Sequence, residues 1–157
     1  MKDRIHIETS VVSYLVGKPS TDTIVAAHQK LTDKWWEQRA PRFELVVSEL
    51  VYREAAAGDK AAASARLEAI AELGILTITE EAVSLAELLT TKGPIPREYG
   101  ADALHIAVAA VNGVGYLLTW NCKHLANAAH RWRIESLVES AGYGCPVICT
   151  PEELMED

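Results

Sequence analysis

The sequence predicts an α/β protein built on a mostly parallel central sheet of about four to five strands, with helices on both faces. Three observations lead there. Short apolar runs of strand length recur along the chain, the segments between them carry helical period, and 23 of the 157 residues are Ala. Apolar runs without alternation suit strands buried on both faces, and parallel strands need crossover helices to join them. The abundance of strong helix formers argues against an all-β protein.

Taken in order, Ile5 and Ile7 mark the first strand, and Thr9-Ser10 can cap the helix that follows. Ile24, Ala27, Leu31, Trp35 and Gln38 recur at three- and four-residue steps, so a helix is expected from about Thr21 to Arg39. Leu45-Val46-Val47 is the second strand, with Ser48 as the next cap. Ala61 to Leu73 reads as a helix, Ile75 to Ile78 as a strand, and Glu80 to Thr91 as a helix. Lys92-Gly93-Pro94-Ile95-Pro96 is the candidate mobile loop. Ala101 to Asn112 is a helix, Tyr116-Leu117-Leu118 a strand, about Lys123 to Ala141 a helix, and Val147-Ile148-Cys149 the last strand. Gly58, Gly74, Gly93 and Gly142 fall where helices should stop. Thr150-Pro151-Glu152-Glu153 combines a cap, a proline and a capping-box acid, which predicts a short terminal helix. With no repeat or linker, residues 1–157 are read as one domain ending in an acidic tail from about residue 152.

Composition narrows the function. Fifteen Lys and Arg against 22 Asp and Glu give a net charge of -7, which argues against a protein that coats nucleic acid through its own cations. Four of those acids crowd the last six residues, so the remainder carries only -3. Cys122, Cys145 and Cys149 form no Cys-x-x-Cys pair and are read as buried thiols. No uncharged apolar stretch reaches the ~18 residues of a membrane span. The start, Met1-Lys2-Asp3-Arg4-Ile5-His6, is not followed by an apolar signal region, so a cytoplasmic protein without membrane partners is expected.

In an open parallel sheet, ligands gather at the carboxyl ends of the strands. There the first strand runs into Glu8-Thr9-Ser10, the second into Ser48-Glu49 and then Glu54, and the strand at Tyr116 into Thr119-Trp120-Asn121. Glu49 and Glu54 point about 140° apart on a helix, so only one of them faces such a site. The helix from Ala101 is apolar on nearly every face, and Asp102 and His105 are its titratable residues. A buried carboxylate needs a cation, a capping role or a partner, whereas His105 is read as a packing residue. Carboxylates clustered without His/Cys spacing suit a hard divalent cation, and such a cation can support phosphodiester hydrolysis. Other motifs fail: Gly17-Lys18-Pro19-Ser20 lacks the first P-loop glycine, Gly113-Val114-Gly115 precedes a strand, and no Gly-x-Ser-x-Gly is present.

Four segments together resemble a known family: Ile5 to Leu15, Val47 to Glu54, Ala101 to Ala107, and Leu117 to Asn127. They are similar, in order and over almost the whole chain, to the PIN domain and within it to the VapC-like group of toxin-antitoxin ribonucleases. The resemblance implies a three-layer α/β/α sandwich, an Mg²⁺ or Mn²⁺ site, and endonucleolytic cleavage of RNA by the toxin of a type II pair. It further implies an antitoxin partner and a homodimer. Glu8 takes the place of the first acid, Glu54 that of the second with Glu49 as alternate, and Asp102 that of the third. Asn121 assists, His124 stands where many members carry a further Asp, and Thr9, Ser10 and Thr119 orient ligands or water. The alternative is a catalytically weak or silent PIN-fold interaction module whose acidic pocket grips a basic side chain of a partner. Of the two tryptophans in Trp35-Trp36, Trp35 lies on the apolar stripe and Trp36 is the candidate for partner contact.

Overall fold

The computed structural model describes residues 1–156; Asp157, the last acid of the expected tail, lies outside the described residues. Its strands are β1 (Arg4–Ile7), β2 (Glu44–Ser48), β3 (Gly74–Leu76), β4 (Tyr116–Leu118) and β5 (Val147–Cys149). The helices are α1 (Thr9–Val16), α2 (Thr23–Gln38), α3 (Glu49–Ala55), α4 (Lys60–Ile70), α5 (Glu80–Thr91), α6 (Gly100–Val111) and α7 (Ala128–Ser140). The five strands form one all-parallel sheet in the order β3-β2-β1-β4-β5. The α/β reading with a parallel sheet clad by helices is therefore realised.

Period two of the strands divides the interior into two layers. Val46, Leu117 and Ile148 point to one face, where Leu85, Leu89, Ile106, Ala110, Ile134 and Val138 of α5, α6 and α7 cover them. Ile5, Ile7, Val47, Leu118 and Cys149 point to the other, against Val11, Val12, Trp35, Val51, Ala55 and Ile70 of α1 to α4. His6 pairs in register with Val46 and Leu117, so its ring enters the α5–α7 layer at the centre of the sheet. That is a position built for an aliphatic side chain, and His6 is completely buried there.

Chain order places β1, β2 and β3 to one side and then returns to add β4 beside β1. The connection reverses between β1 and β4, which opens a crevice at their carboxyl ends. Ile7 lies opposite Leu118, so the next residues, Glu8 and Thr119, face each other across that crevice.

Several boundaries differ from expectation. Glu8 itself caps α1, accepting from the Ser10 N–H at 2.9 Å, because its longer side chain folds back over the first turn. The helix expected from Lys123 begins only at Ala128, where Asn127 caps it. Residues 121–127 are held in turns, with the N–H groups of Leu125 and Ala126 both bound to the Asn121 carbonyl. Gly74 opens β3 instead of ending α4, and Thr77 and Ile78 fall outside that strand. The terminal helix does not form. Thr150 and Glu153 do make the reciprocal capping bonds, at 3.1 and 3.2 Å, but a bidentate Arg131 pair also holds Glu153, and the turns end within six residues. Gly142 terminates α7 with φ +94°, a conformation that favours glycine.

The loop at Lys92–Pro96 is anchored by the buried Ile95. Trp35 is core, Trp36 packs partly buried against it, and Trp132 is exposed at 67%. Only Cys149 is buried; Cys145 is half-buried and Cys122 exposed, and all three are free thiols. Among the described residues no helix is long and apolar enough to cross a membrane.

Candidate functional site

Glu8 leaves the end of β1 and turns into the crevice. Its Oε1 accepts from the Ser10 and Thr119 hydroxyls, both at 2.5 Å, and its Oε2 accepts from the Ser10 N–H. Each of those hydroxyls is itself fixed by the backbone: Ser10 Oγ accepts from the Trp120 N–H at 2.8 Å and Thr119 Oγ1 from the Asn121 N–H at 2.9 Å. The strand ends thus aim the donors that aim the carboxylate. Three of its roughly four lone-pair sites are taken, and the one that remains is on Oε2.

Glu54, on the last turn of α3, meets this group from the side. Its Oε1 accepts from the Thr9 hydroxyl at 2.5 Å and lies 2.8 Å from His105 Nε2. His105 Nε2 is also 4.0 Å from Glu8 Oε2. Ligand-type atoms of Glu8, Glu54 and His105 all fall within 4.8 Å of one another, a group able to hold a metal ion. Of the two acids on α3, it is Glu54 and not Glu49 that is brought into this group; Glu49 opens the helix and is half-buried.

Burial by itself would raise the Glu54 carboxyl and lower the His105 imidazole. The hydrogen bonds from His105 and Thr9, with the charge of His105, reverse this and hold Glu54 below the ordinary carboxylate value. The bond to Glu54 and the charges of Glu8, Glu54 and Asp102 likewise raise His105 above the usual histidine value. His105 Nδ1 is buried without a partner, so Nε2 is the nitrogen through which the ring donates, to Glu54. Using Nε2 as a metal ligand would move that proton to Nδ1, where no acceptor waits. His105 therefore acts as a donor between two carboxylates, and the carboxylates are the atoms left for a cation.

Beneath it, His6 lies 5.8 Å from the His105 ring, with both ring nitrogens buried and unpartnered. Burial, aided by the His105 charge, lowers His6 to about 3 and keeps it neutral.

Asp102 stands one turn before His105 on α6, in the first turn of the helix. Its Oδ2 accepts from His124 Nδ1 at 2.9 Å, and its side chain remains 20% exposed. His124 is positioned by Asn121, whose Oδ1 accepts the His124 N–H at 3.1 Å. The Asn121 amide oxygen thus braces the turn that carries His124. Sequence reasoning placed His105 in the packing; the signal that could have moved it to the site is the Asp102-to-His105 spacing of one helical turn, which puts both on one face.

The molecule is thus a parallel α/β/α sandwich with Glu8 and Glu54 at the β1/β4 crevice. Neither a family model nor a curated protein matches the chain. Solved structures do. VapBC2 from Rickettsia felis, bound to a DNA fragment from its promoter, superposes with TM-score 0.58 at 14% identity, over 94% of this chain and 98% of that one. VapC20 from Mycobacterium tuberculosis, a sarcin-ricin loop cleaving toxin, gives TM-score 0.55 at 16% identity, over 88% and 95%. The chain has a PIN-like, VapC-like fold.

Proposed function

We propose that the protein is a metal-dependent endoribonuclease, the toxin of a type II toxin-antitoxin pair, with Glu8, Glu54 and Asp102 as the acids that hold Mg²⁺ or Mn²⁺. The observation that carries this reading is that Glu8 and Glu54, from distant segments, come together with His105 at the crevice of a VapC-like fold, with Asp102 one helical turn before His105 and close enough for its charge to act on that ring. The donor set fits a hard divalent ion: carboxylate oxygens, one lone pair of Glu8 still open, and side chains of Glu54 and Asp102 that reach solvent. Such an ion, when bound, activates a water and offsets charge on the attacked phosphate. The chain supplies the rest. Ser10 and Thr119 fix the Glu8 carboxylate, Thr9 and His105 fix Glu54, and His124 fixes Asp102. Asn121 assists by holding His124 in place. An antitoxin and a second copy of the chain are the partners that accompany this reading.

One feature favours a weaker enzyme or a binding module: every acid of the group already accepts hydrogen bonds from the chain, which tempers its demand for a cation. Titration calorimetry with Mn²⁺ and cleavage of a broad RNA panel separate the two. Stoichiometric Mn²⁺ binding with RNA cutting that EDTA abolishes supports the nuclease. A protein that binds no Mn²⁺ and cuts no RNA is not one.

A further inference from the structure

Tyr99 lies against the outer acid–histidine pair, beside the residue bonded to Asp102. It follows Pro94-Ile95-Pro96, where the buried Ile95 anchors the chain, and it closes the short turn Arg97–Tyr99 immediately before α6. Its ring lies 4.1 Å from the ring of His124, the residue bonded to Asp102. His124 is buried and held at two points, through Nδ1 to Asp102 and through its N–H to Asn121. A firmly held ring, tilted 43° to its own, therefore supports Tyr99 on one side, while the residue as a whole remains 39% exposed. The ammonium of Lys123, on an exposed and flexible side chain, sits over the Tyr99 ring at 5.7 Å from its centroid, a cation-π contact that an incoming base would displace toward its own phosphate.

This combination differs from an ordinary exposed tyrosine. An aromatic destined only for packing would have its ring covered by aliphatic side chains; this one touches a histidine ring and carries a lysine ammonium over its face. Lys123 thus brings a positive charge to the Tyr99 ring, next to the His124–Asp102 pair. Unstacked bases of single-stranded RNA stack on aromatic faces, and neighbouring phosphates seek Lys and Arg.

Resting on the ribonuclease reading above, we infer that Tyr99, backed by His124, is a stacking platform for one nucleobase of single-stranded RNA, with Lys123 contacting an adjacent phosphate. The platform sets which nucleotide lies next to the acids, because the path from Tyr99 through His124 to Asp102 is a continuous set of contacts. Base stacking tolerates any base, so Tyr99 contributes position and affinity, and base identity is left to other contacts.

The test uses the full chain and single-stranded RNA 12-mers that carry 2-aminopurine at successive positions, in EDTA and separately in Ca²⁺. In the wild-type complex one position is expected to be quenched by stacking. Tyr99→Leu is expected to lose that quench and bind about tenfold or more weakly, whereas Tyr99→Phe restores both. Lys123→Gln lowers the slope of log affinity against log salt by about 0.7, the contribution of one phosphate contact on a single strand. Should Tyr99→Leu fail to fold, the quench in the wild type and in Tyr99→Phe decides the matter. Wild-type RNA binding with no quenched position, or a folded Tyr99→Leu that binds and quenches as the wild type does, overturns the platform while leaving the nuclease intact. A wild-type protein that binds no RNA in either condition overturns the ribonuclease reading and this inference with it.

Discussion

The two acid–histidine pairs of the crevice use the same residue types for different ends. Glu54 and His105 meet across 51 residues, and His105 is 1% exposed, with Glu54 as its hydrogen-bond partner and a second carboxylate, Glu8, 4.0 Å away. Asp102 and His124 meet at the rim, where the acid is still wetted and the histidine lies beneath Tyr99. The inner pair lets two carboxylates share a small space; the outer pair aims one carboxylate and leaves it reachable. The number of carboxylates decides which task each buried histidine performs: His105 stands between two and offsets their repulsion, whereas His124 serves one and orients it.

Breaking the outer pair at its acid tests function most directly. Asp102→Asn is expected to lower metal-dependent RNA cleavage by more than ~100-fold, since even residues that merely orient a ligand cost 10–100-fold. The thermal midpoint should move little, as Asn still accepts from His124. Cleavage rates alongside a melting curve check both halves, and a fully active Asp102→Asn removes Asp102 from the machinery.

Breaking the inner pair is expected to show in stability. His105→Leu withdraws the donor from Glu54 and leaves two carboxylates facing each other, a loss of about 1–3 kcal/mol in urea unfolding. His124→Leu, at the rim, should cost less than that. Equal losses at the two positions would erase the distinction between the pairs.

The neighbour beneath the inner pair sharpens it. Folded His6 takes up its proton only at about pH 3, whereas the unfolded chain does so near the ordinary histidine value of 6.5, so acid favours unfolding through this group. Stability should fall by up to about 1.4 kcal/mol per pH unit in that window. His6→Leu should flatten this limb and add about 1 kcal/mol at neutral pH, because it removes two unpartnered buried nitrogens. His105 has the opposite sign: its raised value gives stability that is present below pH 6.5 and lost as pH rises through the folded value. Glu54, lowered, contributes above pH 4.5 and loses that contribution as pH falls through its folded value. Urea midpoints of wild type and His6→Leu between pH 4 and pH 8 read these limbs separately. The smallest effect is expected far from the crevice, where Trp132→Ala should change stability by less than about 0.5 kcal/mol.

Much of this was legible before folding. Helical period and short apolar runs located all five strands, and the unbroken apolarity of Ala101 to Val111 marked α6 as buried, which made Asp102 conspicuous. Less legible were the local ends. Nothing in Glu8-Thr9-Ser10 says that Glu8 caps α1, since acid and hydroxyls compete for the same N–H groups until β4 brings Thr119 alongside. The start of α7 was hidden for a similar reason: Asn121 binds the turn that follows it, and Asn127 then caps the helix.

By itself, then, the sequence determined the parallel sheet, the carboxyl edge on which Glu8, Glu54 and Asp102 arrive, and the burial of α6, because hydrophobic period and cap chemistry are properties of neighbouring residues. Tertiary structure alone decided that Glu54 and not Glu49 turns inward, that His105 stands between two acids, that His6 lies neutral beneath it, and that Tyr99 rests on His124. Each of those outcomes is a contact between residues at least 25 apart in the sequence, and the packing of α3 and α6 on either side of β1 is what brings Glu54, His105 and His6 together.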